Sequence, residues 1–172
     1  ATQEKITTTY HDLNPLFTFI VPGFNLRSTE LNAVVALEQI ERLDDVIATR
    51  THNFKHWLSR LDPKIFHTDY NIDGSSNFSL PLILRQPNKG HFARICELLN
   101  SEGVEYRIGT AAGGNQARQP YLKNYEHRIY GDLRNANHIH DFGLYVGNHT
   151  DVTEEAIDSI LSKISEVLNV CK

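Results

Sequence analysis

The stretch "VPGFNLRSTELNAVVALEQIERLDDVIATR" (residues 21–50) runs from a glycine-bearing turn straight into a long helical pattern. Pro22-Gly23 breaks the short apolar run "LFTFIV" (16–21), which reads as a strand. Ser28 or Thr29 can then cap a helix by accepting a bond from an orphan backbone N–H. Leu31, Val34, Val35, Leu37, Ile40, Leu43, Val46, Ile47, Phe54, Trp57, Leu58 and Leu61 follow at spacings of three and four, which is helical throughout. Asp62-Pro63 stops the run, and Asp44-Asp45 is the expected kink. Unbroken from Thr29 to Leu61, the helix would be about 50 Å long at 1.5 Å per residue, well beyond the globular average of about 11–12 residues. A lone domain of 172 residues could not cover its whole apolar stripe. The economical expectation is a helix that bridges two bodies, the first lying mostly upstream of residue 1. The chain contains no Met, even at position 1, which fits the same expectation of a piece of something longer. The bare Leu and Val side chains would then promote self-association of the isolated chain.

Downstream, "NFSLPLILR" (77–85) reads as a strand, and Pro81 assigns it to an edge or a bulge because proline cannot donate to the ladder. "HFARICELLNSEG" (91–103) is amphipathic, with Phe92, Ile95, Cys96, Leu98 and Leu99 facing inward and Gly103 suited to a left-handed stop. "VEYRI" (104–108) and "DFGLYVG" (141–147) supply two more strands. "TEEAIDSILSKISEVLN" (153–169) closes the chain as a helix capped by Thr153, with Glu154 and Glu155 near its positive end. Its inward stripe is Ile157, Ile160, Leu161, Ile164, Val167 and Leu168. The class is α+β: a small sheet with helices packed on one side, after a long leading helix. The expected division is an interface turn closing a truncated large domain (1–27), a linking helix (28–62) and a small α+β domain (63–172).

A net charge of −4 argues against nonspecific nucleic-acid binding, which requires a basic surface. No apolar run approaches the length of a membrane span, and no signal peptide opens the chain. Cys96 and Cys171 read as free thiols of a reducing cytoplasm. The sequons at Asn77 and Asn148 read as coincidence in that compartment.

Residues 109–135, "GTAAGGNQARQPYLKNYEHRIYGDLRN", have weak periodicity, yet Tyr121, Tyr125, Ile129, Tyr130 and Leu133 argue against disorder. Gly113-Gly114 allows close backbone approach. Asn115, Gln116, Arg118 and Gln119 supply donors, and the Arg118 fork matches phosphate or carboxylate. Two readings stay open: a ligand loop, or a loop tucked over the sheet edge with Arg118 in a surface ion pair. His52 and His56 stand one helical turn apart without an obvious third metal ligand. His138 and His140 alternate beside a strand, where packing accounts for them. His149 follows a strand directly, where functional loops often sit. No G-x-S-x-G, P-loop or G-x-G-x-x-G is present.

The segment Gly23, Phe24, Asn25, Arg27, Thr29, Glu30, Leu31 and Ala33, followed by Gln39-Ile40 and Arg50, resembles the opening of the C-terminal part of the pyridoxal-phosphate-dependent sugar-nucleotide aminotransferases of the DegT/DnrJ/StrS type. "GGNQARQPYL" and "YGDLRNANHIHDFGLYVGNHTDVTEE" resemble their 3-dehydratase branch, which removes the C3 hydroxyl of a 4-keto-6-deoxy nucleotide sugar. Together these likenesses span roughly residues 15–168. The resemblance implies the C-terminal small domain of a type I pyridoxal-phosphate enzyme, reached through a long helix. It implies a homodimer in which Asn25 reaches the cofactor phosphate of the neighbouring subunit. Arg27 would contact the substrate or steady that turn, and Gly114, Asn115 and Arg118, with His149, would face the nucleotide sugar. The family's Schiff-base Lys, or the His that replaces it in the dehydratases, lies upstream of such a segment. This chain therefore carries no catalytic residue in that reading, and alone it would neither turn over nor hold cofactor. The competing readings are a non-catalytic stand-alone binding module and, more remotely, a metal hydrolase built on His52, His56, His138 and His140.

Overall fold

The structure, a computed structural model, describes residues 9–10, 12–14, 17–20, 22–23, 29–109 and 114–169. The leading helix is two helices. α1 spans Glu30–Ile40 and α2 spans Leu43–Arg60. Thr29 caps α1, its side chain accepting from the Asn32 N–H at 3.3 Å. The break falls at Glu41-Arg42, where the Arg42 N–H donates to Gln39 O at 3.2 Å in a tightened last turn. The acidic pair expected to kink the helix instead occupies the first turn of α2, where carboxylates complement the positive end of the helix dipole.

The two helices differ in what covers them. α1 buries none of its residues, and Leu31 stays 79% exposed. α2 buries Asn53, Phe54 and Trp57 in its second half, and Trp57 is only 1% exposed.

That second half enters the core of an α+β unit. β1 (Ser79–Ile83), β2 (Tyr106–Ile108) and β3 (Gly143–Gly147) form a three-stranded antiparallel sheet in the order β1-β3-β2. Leu80 pairs with Val146 and Leu82 with Leu144, and strand alternation sends these four to one buried face. Against that face lie Phe54, Trp57 and Leu61 at the end of α2, Ile95 and Leu99 of α3 (Lys89–Ser101), and Ile157, Leu161, Ile164 and Leu168 of α5 (Glu154–Asn169). Pro81 sits on the edge strand β1, and its carbonyl accepts the Trp57 indole N–H at 2.9 Å. Gly103 takes φ +68 after α3, the left-handed stop read from sequence.

Two further expectations need correction, and one helix was not foreseen. Described residues 17–20 join no strand; their backbone bonds run to side chain and turn instead. Asp141 and Phe142 belong to a helix and not to β3. That helix, α4 (Arg134–Phe142), was absent from the sequence reading. It starts at Leu133 in a left-handed conformation (φ 52), and the carboxylate that accepts the Arg134 N–H at 3.0 Å is that of Asp132, one residue ahead of the usual cap position, so the start signal is displaced from where sequence rules look for it. No helix among the described residues is long and apolar enough to cross a membrane.

Candidate ligand-binding site

The chain leaves β2 through Gly109 (φ +77), whose N–H donates to Gly143 O at 2.6 Å and ties the loop root to the start of β3. The loop resumes at Gly114 (φ +80). A Cβ there would lie 2.3 Å from Nδ1 of His140. The close approach that this glycine permits is thus to an imidazole of the same chain, and any side chain would also strain the backbone.

Asn115 is buried and uses every polar face. Its Oδ1 accepts from the Ala117 N–H at 3.0 Å, capping a short 3-10 turn, Gln116–Arg118. Its Nδ2 donates to Asn137 Oδ1 at 2.8 Å. Its backbone N–H donates to His140 Nδ1 at 3.0 Å. Arg118 donates to Asp141 Oδ1 at 2.8 Å, with Asp12 at 3.9 Å, while 28% of its side chain stays open to solvent. Asn137, His140 and Asp141 stand at i, i+3 and i+4, one face of α4. That face is the cradle of the loop. Burial holds the His140 imidazole below its ordinary pKa, and the Arg118 guanidinium adds to the shift; Asp141 and Asp12 oppose it.

Gln119 is a second anchor. Only 1% exposed, it donates from Nε2 to Phe17 O and accepts at Oε1 from the Phe19 N–H, both at 3.0 Å. The Tyr121 N–H donates to Phe19 O at 3.0 Å. A side-chain amide here bonds residues 17–19 much as a neighbouring strand would. The Arg107 guanidinium lies 5.3 Å from the centre of the Phe17 ring. Pro120 then opens the 3-10 helix Pro120–Asn124.

The sequence-derived site residues fall into three groups. Gly114, Asn115 and Arg118 come together on the α4 cradle. His149 is 70% exposed beside Asp151 (3.2 Å), beyond the far end of β3. Four strand steps of about 3.4 Å place the Gly147 end of β3, two residues before His149, about 14 Å along the sheet from the Gly143 end, where the loop is rooted. Asn25 and Arg27 lie outside the described residues, as does Cys171.

The other histidines have plain partners. His52 pairs with Glu154 at 2.6 Å and His56 with Asp158 at 2.9 Å, linking α2 to α5, and Arg60 joins Asp158 at 2.8 Å. His138 bonds the Leu84 carbonyl. Among the described residues no group of three or more His, Cys, Asp or Glu is arranged to hold a metal ion. Asn148 is buried. Its Nδ2 donates to Arg50 O (2.9 Å) and Asn77 O (2.8 Å), and its Oδ1 accepts from Asn53 (3.3 Å). It is a staple between α2 and the β3 end, and its sequon is closed to modification.

Sequence reasoning missed Asn137 and Asp141, and it weighed His140 as packing or a remote metal ligand and not as a partner of the loop. Their helical spacing was visible, but the alternation in "HIHDF" imitated a strand.

The chain is thus a sheet-and-helix unit with a leading helix, and it carries a Gly-Asn-Gln-x-Arg-Gln-Pro loop on a helix face. The model described as the DegT/DnrJ/EryC1/StrS aminotransferase family matches residues 2–165, and the chain belongs to that family. It is 27% identical over 143 residues to the GDP-4-keto-6-deoxy-D-mannose 3-dehydratase of Escherichia coli O55:H7, covering 83% of this chain and 37% of that protein. It is 25% identical over 165 residues to the GDP-perosamine synthase of Caulobacter vibrioides, covering 91% and 42%. Among solved structures, the E. coli GDP-4-keto-6-deoxy-D-mannose 3-dehydratase with bound hydrated pyridoxal phosphate superposes with a TM-score of 0.72 at 26% identity, over 87% of this chain and 39% of that one. The chain thus spans about two fifths of the length of these relatives.

Proposed function

We propose that this chain is the C-terminal portion of a pyridoxal-phosphate-dependent enzyme that modifies nucleotide-linked sugars in deoxysugar, aminosugar or polysaccharide biosynthesis in the cytoplasm. The observation that carries the reading is the family match over residues 2–165. The relatives include both a GDP-4-keto-6-deoxy-D-mannose 3-dehydratase and a GDP-perosamine synthase, and the proposed reading covers C3 deoxygenation and amino transfer alike.

In this reading residues 1–27 finish a large domain, 28–62 link, and 63–172 form the small domain of a type I fold. The uncovered apolar face of α1 supports it, since a large domain or a second subunit would cover that face. The pyridoxal phosphate, when bound, supplies a sink for carbanion charge next to the sugar keto group. This chain's share of its site is auxiliary. The neutral amide of Asn25 would donate to the cofactor phosphate of the partner subunit without adding charge, and a donor set of one amide fits that role and not sole retention of the cofactor. Arg27 would steady the turn or touch substrate.

The Asn115–Arg118 loop would meet the nucleotide sugar. The guanidinium, already oriented by Asp141, presents its solvent-open side to a diphosphate. His149, at the opposite end of β3, would touch a ligand only as a separate element.

The gene-length protein that includes the region upstream of residue 1 should bind pyridoxal phosphate with a visible absorbance band. A colourless protein that takes up no added cofactor would contradict the reading. It would favour a stand-alone binding module, for which the closed core of residues 54–168 is otherwise the best support. This chain alone is expected to neither colour nor turn over.

A further inference from the structure

Two observations about one ring carry an inference that rests on the loop of residues 114–119 being the ligand loop. The loop backbone lies so close to His140 that only glycine fits at position 114, the nearest ring atom being 2.3 Å from where a Cβ would sit. The next backbone N–H, that of Asn115, points at the same ring nitrogen at 3.0 Å. A backbone N–H can only donate, so Nδ1 must carry a lone pair and no proton. An imidazolium, with both nitrogens protonated, has no acceptor to offer and would face the amide donor to donor.

We propose that His140 is a positioning residue for the ligand loop: its neutral ring, accepting at Nδ1, fixes the Asn115 backbone and with it the 3-10 turn that aims Arg118. The chain of dependence is short. Asn115 Oδ1 caps the turn at Ala117, and the Arg118 N–H donates to Asn115 O at 3.1 Å. Release of Asn115 therefore removes the backbone support of Arg118 and leaves its guanidinium held by Asp141 alone on α4. Asn137 and Asp141 flank His140 on the same face of α4 and hold the Asn115 amide and Arg118 directly.

The charged groups facing the ring are Arg118 from the loop, Asp141 from α4 and Asp12 from the N-terminal segment. Burial and Arg118 favour the neutral ring, the two carboxylates favour the charged one, and the balance lies toward neutral. Because the anchored state binds a proton less readily than the released one, anchoring is complete above the ordinary His value of about 6.5. It weakens as pH falls from there through the lowered value.

The test follows the ring and the amide of this chain by ¹⁵N NMR from pH 8 to pH 5, with GDP as the ligand probe. At pH 7.5 the His140 Nδ1 should show the unprotonated shift, and the Asn115 amide should be protected from exchange. Protonation of the ring should speed Asn115 exchange about tenfold, as loss of one buried hydrogen bond implies. GDP-induced shifts at Arg118 should decline with the same midpoint. His140→Asn keeps an acceptor near the Nδ1 position and cannot titrate; it should retain the protection and make both profiles flat. His140→Ala should lose the protection at every pH. A proton on Nδ1 at pH 7.5, Asn115 protection indifferent to ring protonation, or failure of His140→Asn to rescue it would each overturn the inference. Absence of any GDP shift in the unmutated chain at pH 7.5 would count against the ligand reading and not against the anchor, which the ring and amide signals decide.

Discussion

α1 and the second half of α2 carry the same kind of apolar stripe and meet opposite fates. Leu31, Val34, Val35, Leu37 and Ile40 are exposed, while Phe54, Trp57 and Leu61 are sealed against the sheet and α5. Periodicity registers that a helix has a face to bury; it is silent on which body does the burying. Here the break at Glu41-Arg42 lies close to the boundary between the uncovered and the covered parts, and Leu43 and Ile47 just beyond it are still exposed.

The contrast can be broken first by mutation. Trp57→Ala should cost about 3–5 kcal/mol, through lost burial and the cavity left beneath β1, read as a shift in urea midpoint. Val34→Ser on α1 should change the midpoint of this chain by less than about 0.5 kcal/mol, while reducing self-association in sedimentation. A comparable loss at both positions would erase the distinction. Next in size is Asn148→Ala. It strands the carbonyls of Arg50 and Asn77 and should cost about 2–3 kcal/mol. Gln119→Ala should cost less, about 1–2 kcal/mol, because the residues it holds are only partly buried. Its clearer sign should be faster amide exchange at Phe19 with α2 protection unchanged.

The smallest effect concerns acid. Some burial raises the Asp158 carboxyl, but hydrogen bonds from His56 and Arg60 outweigh it and hold the pKa below its ordinary 3.8. A depressed carboxylate stabilises the fold above its unfolded value, and the contribution is lost as pH falls through the folded one. Asp158→Asn should therefore be less stable at neutral pH and show a shallower acid limb in thermal melts. Being exposed, the group should give only a modest change.

What the sequence made legible is mostly the buried framework. The edge strand announced itself through Pro81, α3 through its inward stripe and Gly103, and α5 through Thr153 and its regular Ile/Leu spacing. Each of those signals is local. The failures share a different cause. Asp44-Asp45 reads as a breaker when only propensity is weighed, but the same carboxylates are stabilising once a helix starts there. "LFTFIV" has strand composition, and Phe17 and Phe19 do make strand-like bonds, yet their partner is the Gln119 side chain a hundred residues on. α4 has nine residues, a left-handed Leu133 at its start, and its capping carboxylate one position early, at Asp132. Without α4 the loop had no visible support, so Gly114, Asn115 and Arg118 could be nominated while Asn137 and Asp141 could not, and His140 came forward only as a remote metal ligand. The site was legible as a list of donors. What orients them was written in contacts of long sequence separation.

The measurement that bears most directly on the central contrast is hydrogen–deuterium exchange of this chain at a concentration where sedimentation shows monomer. Amides of residues 34–40 should exchange at close to unprotected rates, and those of residues 53–60 only through opening of the whole core. Uniform strong protection from 34 to 60 in the monomer would mean that α1 is covered from within the chain, and would contradict the account.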